Sequence, residues 1–346
     1  MLNSNNVPDT AEFLSEDDPD HLQTFTPPCP DANKSLQSEL NTARLPPFGP
    51  PLLTKPLWMR ACVHHGTQNH LIFVMRSGER VDRIFSETWT RTEMKNGKVC
   101  SIDANFPQSV PAFKFSDLIN DSPITEIGKF SCLQVSTAMR KRRIYIDRIV
   151  CSPALRAIES ATVIARHLKI NVQVEQGLRE PDAWYSSRGE DEIPRYLTQD
   201  QLVRCKYPIV VDQSKPILEP NEGEAISQED ENQGFVRIYN ALSNLFEQER
   251  EGPLLVVGHA ITMNIAQKIA ASSVALNELE RANVPRDHAN SRDVDFVKLG
   301  QRYPYSSVLT LYQTQFEEPF QYYILPPLLP PLNMVQGHKN NVDFRE

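Results

Sequence analysis

Little in this 346-residue chain is built for a membrane, a metal or a nucleic acid. No apolar run approaches the roughly 18–20 residues that a spanning helix needs. The N-terminus has no charged-then-apolar leader, so a soluble, unsecreted protein is expected, cytoplasmic or nuclear. Its six cysteines, Cys29, Cys62, Cys100, Cys132, Cys151 and Cys205, are scattered without paired metal spacing and read as reduced thiols. No cluster of His, Asp and Glu has ligand spacing, so neither a metal nor a cofactor is expected. The formal charge is −8, and no basic stretch is longer than Arg140-Lys-Arg-Arg143, which excludes an ordinary nucleic-acid binder. That run reads as the solvated C-terminus of a helix, where cations complement the dipole. No internal repeat is visible.

What is present divides unevenly. Residues 1–55 are polar and rich in Pro, Asp and Asn, as in Glu16-Asp-Asp-Pro-Asp20 and Pro46-Pro-Phe-Gly-Pro-Pro51. Such a composition cannot bury enough surface to offset its ordering entropy, so disorder is expected. Its proline clusters could dock an SH3-type partner through a polyproline helix, and an inert tail is the plainer reading.

Residues 56–346 read as one α/β domain. The apolar runs His70–Met75, Ile146–Cys151 and Leu254–Val257 read as buried strands alternating with helical patterns. Thr125 is placed to cap a helix with Ile127, Phe130 and Leu133 on one face. Ser152-Pro153 is placed to cap and open a helix carrying Leu155, Ile158, Ala161, Thr162, Ala165 and Leu168. A long helix is expected over 223–251, with Phe235, Tyr239, Leu242 and Phe246 on one stripe, and edge strands over 306–312 and 321–324. The order predicts a three-layer α/β/α sandwich: a parallel-rich mixed sheet with helices on both faces. Two insertions interrupt it. One spans about 81–120, where Phe85, Trp89, Phe106, Phe113 and Phe115 suggest an ordered flap, and the other about 184–222.

The first strand ends in Arg76-Ser77-Gly78-Glu79-Arg80-Val81-Asp82. This resembles the Arg-His-Gly-Glu-Arg signature of the histidine phosphatase (phosphoglycerate-mutase-like) superfamily. Further matches follow in the family's chain order: Asp121-Ser-Pro-Ile-Thr-Glu-Ile-Gly128, Cys151-Ser-Pro-Ala-Leu-Arg156, Val174-Glu-Gln-Gly-Leu-Arg-Glu180 and Leu254-Leu-Val-Val-Gly-His-Ala260. Within the superfamily, the chain is most similar to the branch of T-cell-receptor-signalling suppressor (ubiquitin-associated and SH3-containing) phosphatases and ecdysteroid-phosphate phosphatases. Its C-terminal tail, from Pro326-Pro-Leu-Leu-Pro-Pro331, supports that branch. The resemblance implies a phosphate pocket of Arg76, Arg80, Arg156 and His259, with Glu180 as proton donor. It also implies capping loops that choose the substrate, and a homodimer. The chain departs from the pattern at Ser131, where the family often carries Gln, and at Ser77, where the family's nucleophilic histidine belongs.

That second departure changes the chemistry. Imidazole takes a phosphoryl group because water can cleave the resulting N–P bond; a serine hydroxyl without an adjacent base is a poor nucleophile, and its phosphoester would be about as inert as the substrate. Losing an attacking group can cost on the order of 10⁶ in turnover. Binding is separate, because guanidiniums hold phosphate through charge-assisted hydrogen bonds that do not involve residue 77. The expected function is therefore a pseudophosphatase that binds a phosphorylated small molecule or phosphoprotein. The alternatives are a weak phosphomonoesterase or protein tyrosine phosphatase, with Ser77 or a water activated by His259, and a non-catalytic scaffold.

Overall fold

The computed structural model describes residues 70–86, 88–95, 98–111, 118, 120–186, 194–210, 229–279, 296–314, 320–325 and 329. All lie in the unit Lys55–Glu346. The Pro-rich segment 1–55, Phe113, Phe115 and the tail from Pro330 lie outside the described residues.

In chain order the elements are β1 (Leu71–Arg76), α1 (Val81–Ile84), α2 (Trp89–Thr92), β2 (Met94–Lys95), β3 (Lys98–Val99), α3 (Glu126–Lys141), β4 (Arg148–Cys151) and α4 (Leu155–Leu168). Then come β5 (Val172–Val174), a 3-10 turn (Gln176–Leu178), α5 (Ala183–Ser186), α6 (Gln199–Arg204), α7 (Glu231–Glu247), β6 (Leu254–Gly258), α8 (Ala260–Leu279), α9 (Phe296–Arg302), β7 (Val308–Gln313) and β8 (Tyr322–Ile324). The main sheet has the order β5-β4-β6-β1-β7-β8. β5, β4, β6 and β1 are parallel, and β7 and β8 join antiparallel beside β1. β2 and β3 form a separate hairpin.

The pleat sorts β1 onto two faces. Leu71, Phe73 and Met75 join Ile149, Cys151, Leu255 and Val257 against Cys132 and Val135 of α3 and Leu155 and Ile158 of α4. Ile72 and Val74 join Val150, Leu254 and Val256 against Phe235, Leu242 and Phe246 of α7 and Ile261 and Ala266 of α8. Helices thus cover both faces, as the sequence predicts. Each fully buried Leu, Ile or Phe contributes about 1.5–3 kcal/mol, so these two clusters form the platform on which a buried polar site can stand.

Several local expectations hold. Thr125 caps α3, its hydroxyl accepting from Gly128 N–H at 3.0 Å, and Arg140 and Lys141 occupy the last turn. A capping box of Asp230 and Gln233, which the sequence reading does not single out, opens α7. In the first insertion Trp89 and Phe106 are buried, and Phe85 meets the Phe106 ring edge-on at 5.1 Å.

Others are corrected. On α3 the buried side is Gly128, Ser131, Cys132, Val135, Ser136 and Met139, while Phe130 and Leu133 are 48% and 36% exposed. The helix is turned because Gly128 must face the β1 turn: a Cβ there would lie 2.8 Å from the Glu79 carbonyl oxygen. Helix α4 starts at Leu155 with Ala154 as its N-cap. Ser152 does not cap it; its hydroxyl lies 2.8 Å from His259 Nε2, and Asp121 accepts the Leu155 N–H instead, at 2.8 Å. β7 is an interior strand, paired on both sides by β1 and β8. β5, three residues long, carries too little pattern to be read from sequence. The expected helix over 223–251 is described over Glu231–Glu247.

Candidate functional site

Parallel register gathers the site. Pairing of Arg76 with Gly258, and of Cys151 with Val257, brings the carboxyl ends of β1, β4 and β6 to one end of the sheet. This is where open α/β sheets bind ligands. Arg76 ends β1, His259 follows β6, Ser152 follows β4, and Arg156 lies in the first turn of α4, whose N-terminal dipole favours an anion.

The turn after β1 is held by its backbone. Ser77 N–H donates to Gly258 O at 2.9 Å, and Ser77 O accepts from Ser306 N–H at 3.1 Å. Gly78 N–H donates to Ser160 Oγ at 2.8 Å, and a Cβ at Gly78 would come within 2.9 Å of the Gly128 carbonyl oxygen. Glu79 accepts from Thr125 Oγ1 at 2.7 Å and from Asn105 Nδ2 at 3.0 Å, tying the first insertion to the start of α3. Ser77 is 2% exposed, and its hydroxyl makes no hydrogen bond to a described residue.

The three arginines expected to hold phosphate are all buried, and each has protein partners. Arg76 Nη1 donates to the carbonyls of Gly300 (3.1 Å) and Tyr303 (2.6 Å) at the end of α9. Its guanidinium also lies 4.0 Å over the Tyr305 ring, and burial brings its pKa down to about 10. Arg80 makes a two-pronged pair with Asp82, Nε to Oδ1 at 2.9 Å and Nη2 to Oδ2 at 2.6 Å. Burial disfavours its charge, and the Asp82 carboxylate outweighs that and raises its pKa. Arg156 Nη2 donates to Glu180 Oε2 at 2.5 Å and to Tyr185 Oη at 3.3 Å, with Asp121 Oδ1 3.6 Å from Nη1.

Glu180 also accepts from Tyr185 O–H at 2.5 Å, and its Oε1 lies 3.5 Å from His259 Nδ1. Burial alone would raise its pKa; His259, Arg156 and Arg80 outweigh it and hold the carboxyl at about 2. Burial drives His259 down to about 3, with the neighbouring arginines adding to the effect against Glu180. The ring is therefore neutral near pH 7. A carboxylate facing Nδ1 favours the tautomer with its proton there, leaving Nε2 to accept from Ser152. Burial lifts Asp121 to about 7 against the pull of Arg156.

Six contributors escape a motif reading: Asp82, Asp121, Ser152, Tyr185, Tyr196 and Tyr305. Asp82, Asp121 and Ser152 sit inside matched motifs, and only Asp82, two residues after Arg80, has an arginine beside it in sequence to signal its role; the three tyrosines lie outside the motifs. Three donors here are buried without a hydrogen-bond partner: Arg156 Nη1, Tyr196 Oη and Tyr305 Oη. Burial foremost raises the Tyr196 pKa, and Tyr185, Asp121 and Glu180 lie close enough to add to it. Ser131, at the family's Gln position, bonds back to Ile127 O at 2.8 Å within α3. Among the described residues no group of His, Cys, Asp and Glu could hold a metal ion, and no helix is long and apolar enough to cross a membrane. Cys100, Cys132, Cys151 and Cys205 are free thiols; Cys29 and Cys62 lie outside the described residues.

Comparison with known proteins agrees with this architecture. The sequence model of the Histidine phosphatase superfamily (branch 1) matches residues 118–297. The ecdysteroid-phosphate phosphatase of Drosophila melanogaster is 31% identical over 223 residues, covering 62% of this chain and 29% of that protein. The human ubiquitin-associated and SH3 domain-containing protein A is 31% identical over 148 residues, covering 41% of this chain and 22% of that protein. The chain therefore spans under a third of the length of these relatives. Among solved structures, the ecdysone phosphate phosphatase of Bombyx mori in complex with tungstate superimposes with a TM-score of 0.55 at 23% identity, covering 76% of this chain and 94% of that one.

Proposed function

Because the chain belongs to the histidine phosphatase superfamily yet carries Ser77 at the end of β1, we propose that it is a pseudophosphatase: a pocket that binds a phosphoryl group without turning it over. One observation carries the reading. The imidazole that would have to activate Ser77 is turned elsewhere, with Nε2 2.8 Å from Ser152 Oγ and Nδ1 facing Glu180. Without a base, a serine hydroxyl is a poor nucleophile. Residual hydrolysis through Ser77, the main alternative, needs that base.

The buried donors that make no hydrogen bond, Arg156 Nη1, which has only Asp121 Oδ1 at 3.6 Å, and the Tyr196 and Tyr305 hydroxyls, support oxyanion binding, since a buried polar group without a hydrogen bond costs free energy that a ligand oxygen would recover. A phosphoryl group entering the pocket meets Arg156 first as a partner of Glu180 and Arg76 as a partner of α9 carbonyls. Binding is thus an exchange of partners rather than capture by three free cations. The tungstate complex of the Bombyx mori phosphatase makes tungstate a suitable probe. The ligand class we assign is a phosphorylated small molecule or phosphoprotein.

Calorimetric titration with inorganic phosphate and with tungstate, alongside hydrolysis of an aryl phosphate, tests the proposal. Saturable heat without product over days is expected. Turnover comparable to that of active phosphatases and abolished by Arg156→Ala overturns the loss of catalysis; no heat and no thermal shift overturn the binding and leave the scaffold reading.

A further inference from the structure

Glu180 enters the pocket from an irregular loop, and α7 holds that loop in place. Arg237 of α7 is 8% exposed. Its Nη1 donates to Gly177 O at 2.8 Å and Arg179 O at 3.0 Å, and its Nη2 to Glu180 O at 3.4 Å. Its Nε donates to Glu229 Oε2 at 2.9 Å, and Nη2 pairs with Glu229 Oε1. Glu229 in turn accepts the Asp182 N–H at 3.2 Å and meets Arg179 Nη2 at 3.4 Å. Gly234, one turn before Arg237, lies against Pro181 so closely that a Cβ would sit 2.7 Å from the Pro181 Cβ. Trp184 Nε1 donates to Glu231 Oε1 at 2.8 Å.

Both flanks of Glu180, 177–179 and 181–184, are therefore fastened to the first two turns of α7 and to Glu229, two residues before it. The loop carbonyls have no ladder of their own, and buried backbone groups must be paired. A guanidinium supplies several donors in a rigid fork, so one residue can fix three carbonyls relative to each other. Past this clamp, the Glu180 side chain reaches Arg156, Tyr185 and His259, and Tyr185 Oη meets the same Arg156 Nη2 at 3.3 Å.

We propose that Arg237, with Glu229, is a positioning residue for the anion pocket: it sets the reach of the Glu180 carboxylate and, through it, the aim of Arg156, without touching the anion. This rests on the reading of the pocket as an oxyanion site. Guanidiniums already aimed at the ligand position bind it at lower cost in ordering, so loosening the clamp weakens binding.

The test is a double-mutant cycle on the full chain, read by calorimetric titration of inorganic phosphate. Arg237→Gln is expected to weaken binding roughly threefold to thirtyfold. In a Glu180→Ala background, where the side chain it acts through is gone, the same change should have no further effect, and Arg237→Lys should restore part of the affinity. Hydrogen exchange gives a second readout: amides 177–182 should exchange faster in Arg237→Gln while those of α3 stay unchanged. An equal loss of affinity in both backgrounds, or unchanged exchange at 177–182, overturns the proposal. If the unsubstituted protein binds no phosphate, the pocket reading fails instead, and the exchange arm alone decides the clamp. If Arg237→Gln does not fold, Glu229→Gln replaces it with the same readouts.

Discussion

The turn after β1 and the loop of Glu180 meet at one buried polar cluster but are held in opposite ways. At the turn the backbone carries the structure: Ser77 N–H and O are both bonded, Gly78 packs on Gly128, and the Ser77 hydroxyl makes no hydrogen bond to a described residue. At the loop the side chains carry it: Glu180 is bound by Arg156 and Tyr185, and its backbone by Arg237. A residue with only a chemical duty can be exchanged without disturbing the fold, whereas one woven into a buried ion network cannot. On the proposed reading, this difference would let the residue at 77 change while the surrounding buried network stays assembled.

Substitutions should break the two regions unequally. Arg156→Ala leaves Glu180 and Asp121 buried beside no cation at their centre and is expected to cost about 3–5 kcal/mol, measured by urea unfolding. Gly128→Ala comes next. Alanine would ordinarily favour a helix by up to about 1 kcal/mol, but its Cβ would lie 2.8 Å from a backbone oxygen of the turn. A net loss of about 1–3 kcal/mol is expected. Ser77→Ala stands at the other extreme and should shift stability by no more than about 0.5 kcal/mol. A large loss there would end the contrast, because it would give residue 77 a structural role.

Acid sharpens the comparison. His259 is held near pKa 3, chiefly by burial, against an ordinary 6.5. The unfolded chain therefore takes up the proton first. The stability contributed by the neutral ring is complete above pH 6.5 and is lost as pH falls from there toward 3. Glu180, held at about 2 against 4.5, adds a loss from pH 4.5 downward. Asp121 acts the other way: burial raises it to about 7, so its contribution is full below its ordinary 3.8 and declines as pH rises to 7. Melting curves of the protein and of His259→Asn from pH 8 to 3 check this. The variant should lose the part of the acid slope that begins at pH 6.5.

How much of this was legible follows from where the information lies. β1, β4 and β6 are short apolar runs buried on both faces, a signal any parallel core strand gives. The pocket's arginines, His259 and Glu180 stood in ordered motifs. The rotation of α3 was hidden because a packing demand at Gly128 overrode the apolar stripe Ile127, Phe130, Leu133. The cap at Ser152 was misread because the hydroxyl's partner, His259, lies 107 residues away. Arg76's engagement by Gly300, Tyr303 and Tyr305 joins opposite ends of the domain, and no local pattern announces it.

The central claim is that the pocket is whole except for its reacting group. Restoring that group tests it most directly, by aryl phosphate turnover of Ser77→His. The account predicts a gain of several orders of magnitude over the unsubstituted protein, abolished when Arg156→Ala is added; a stable, folded Ser77→His protein with no gain would contradict it.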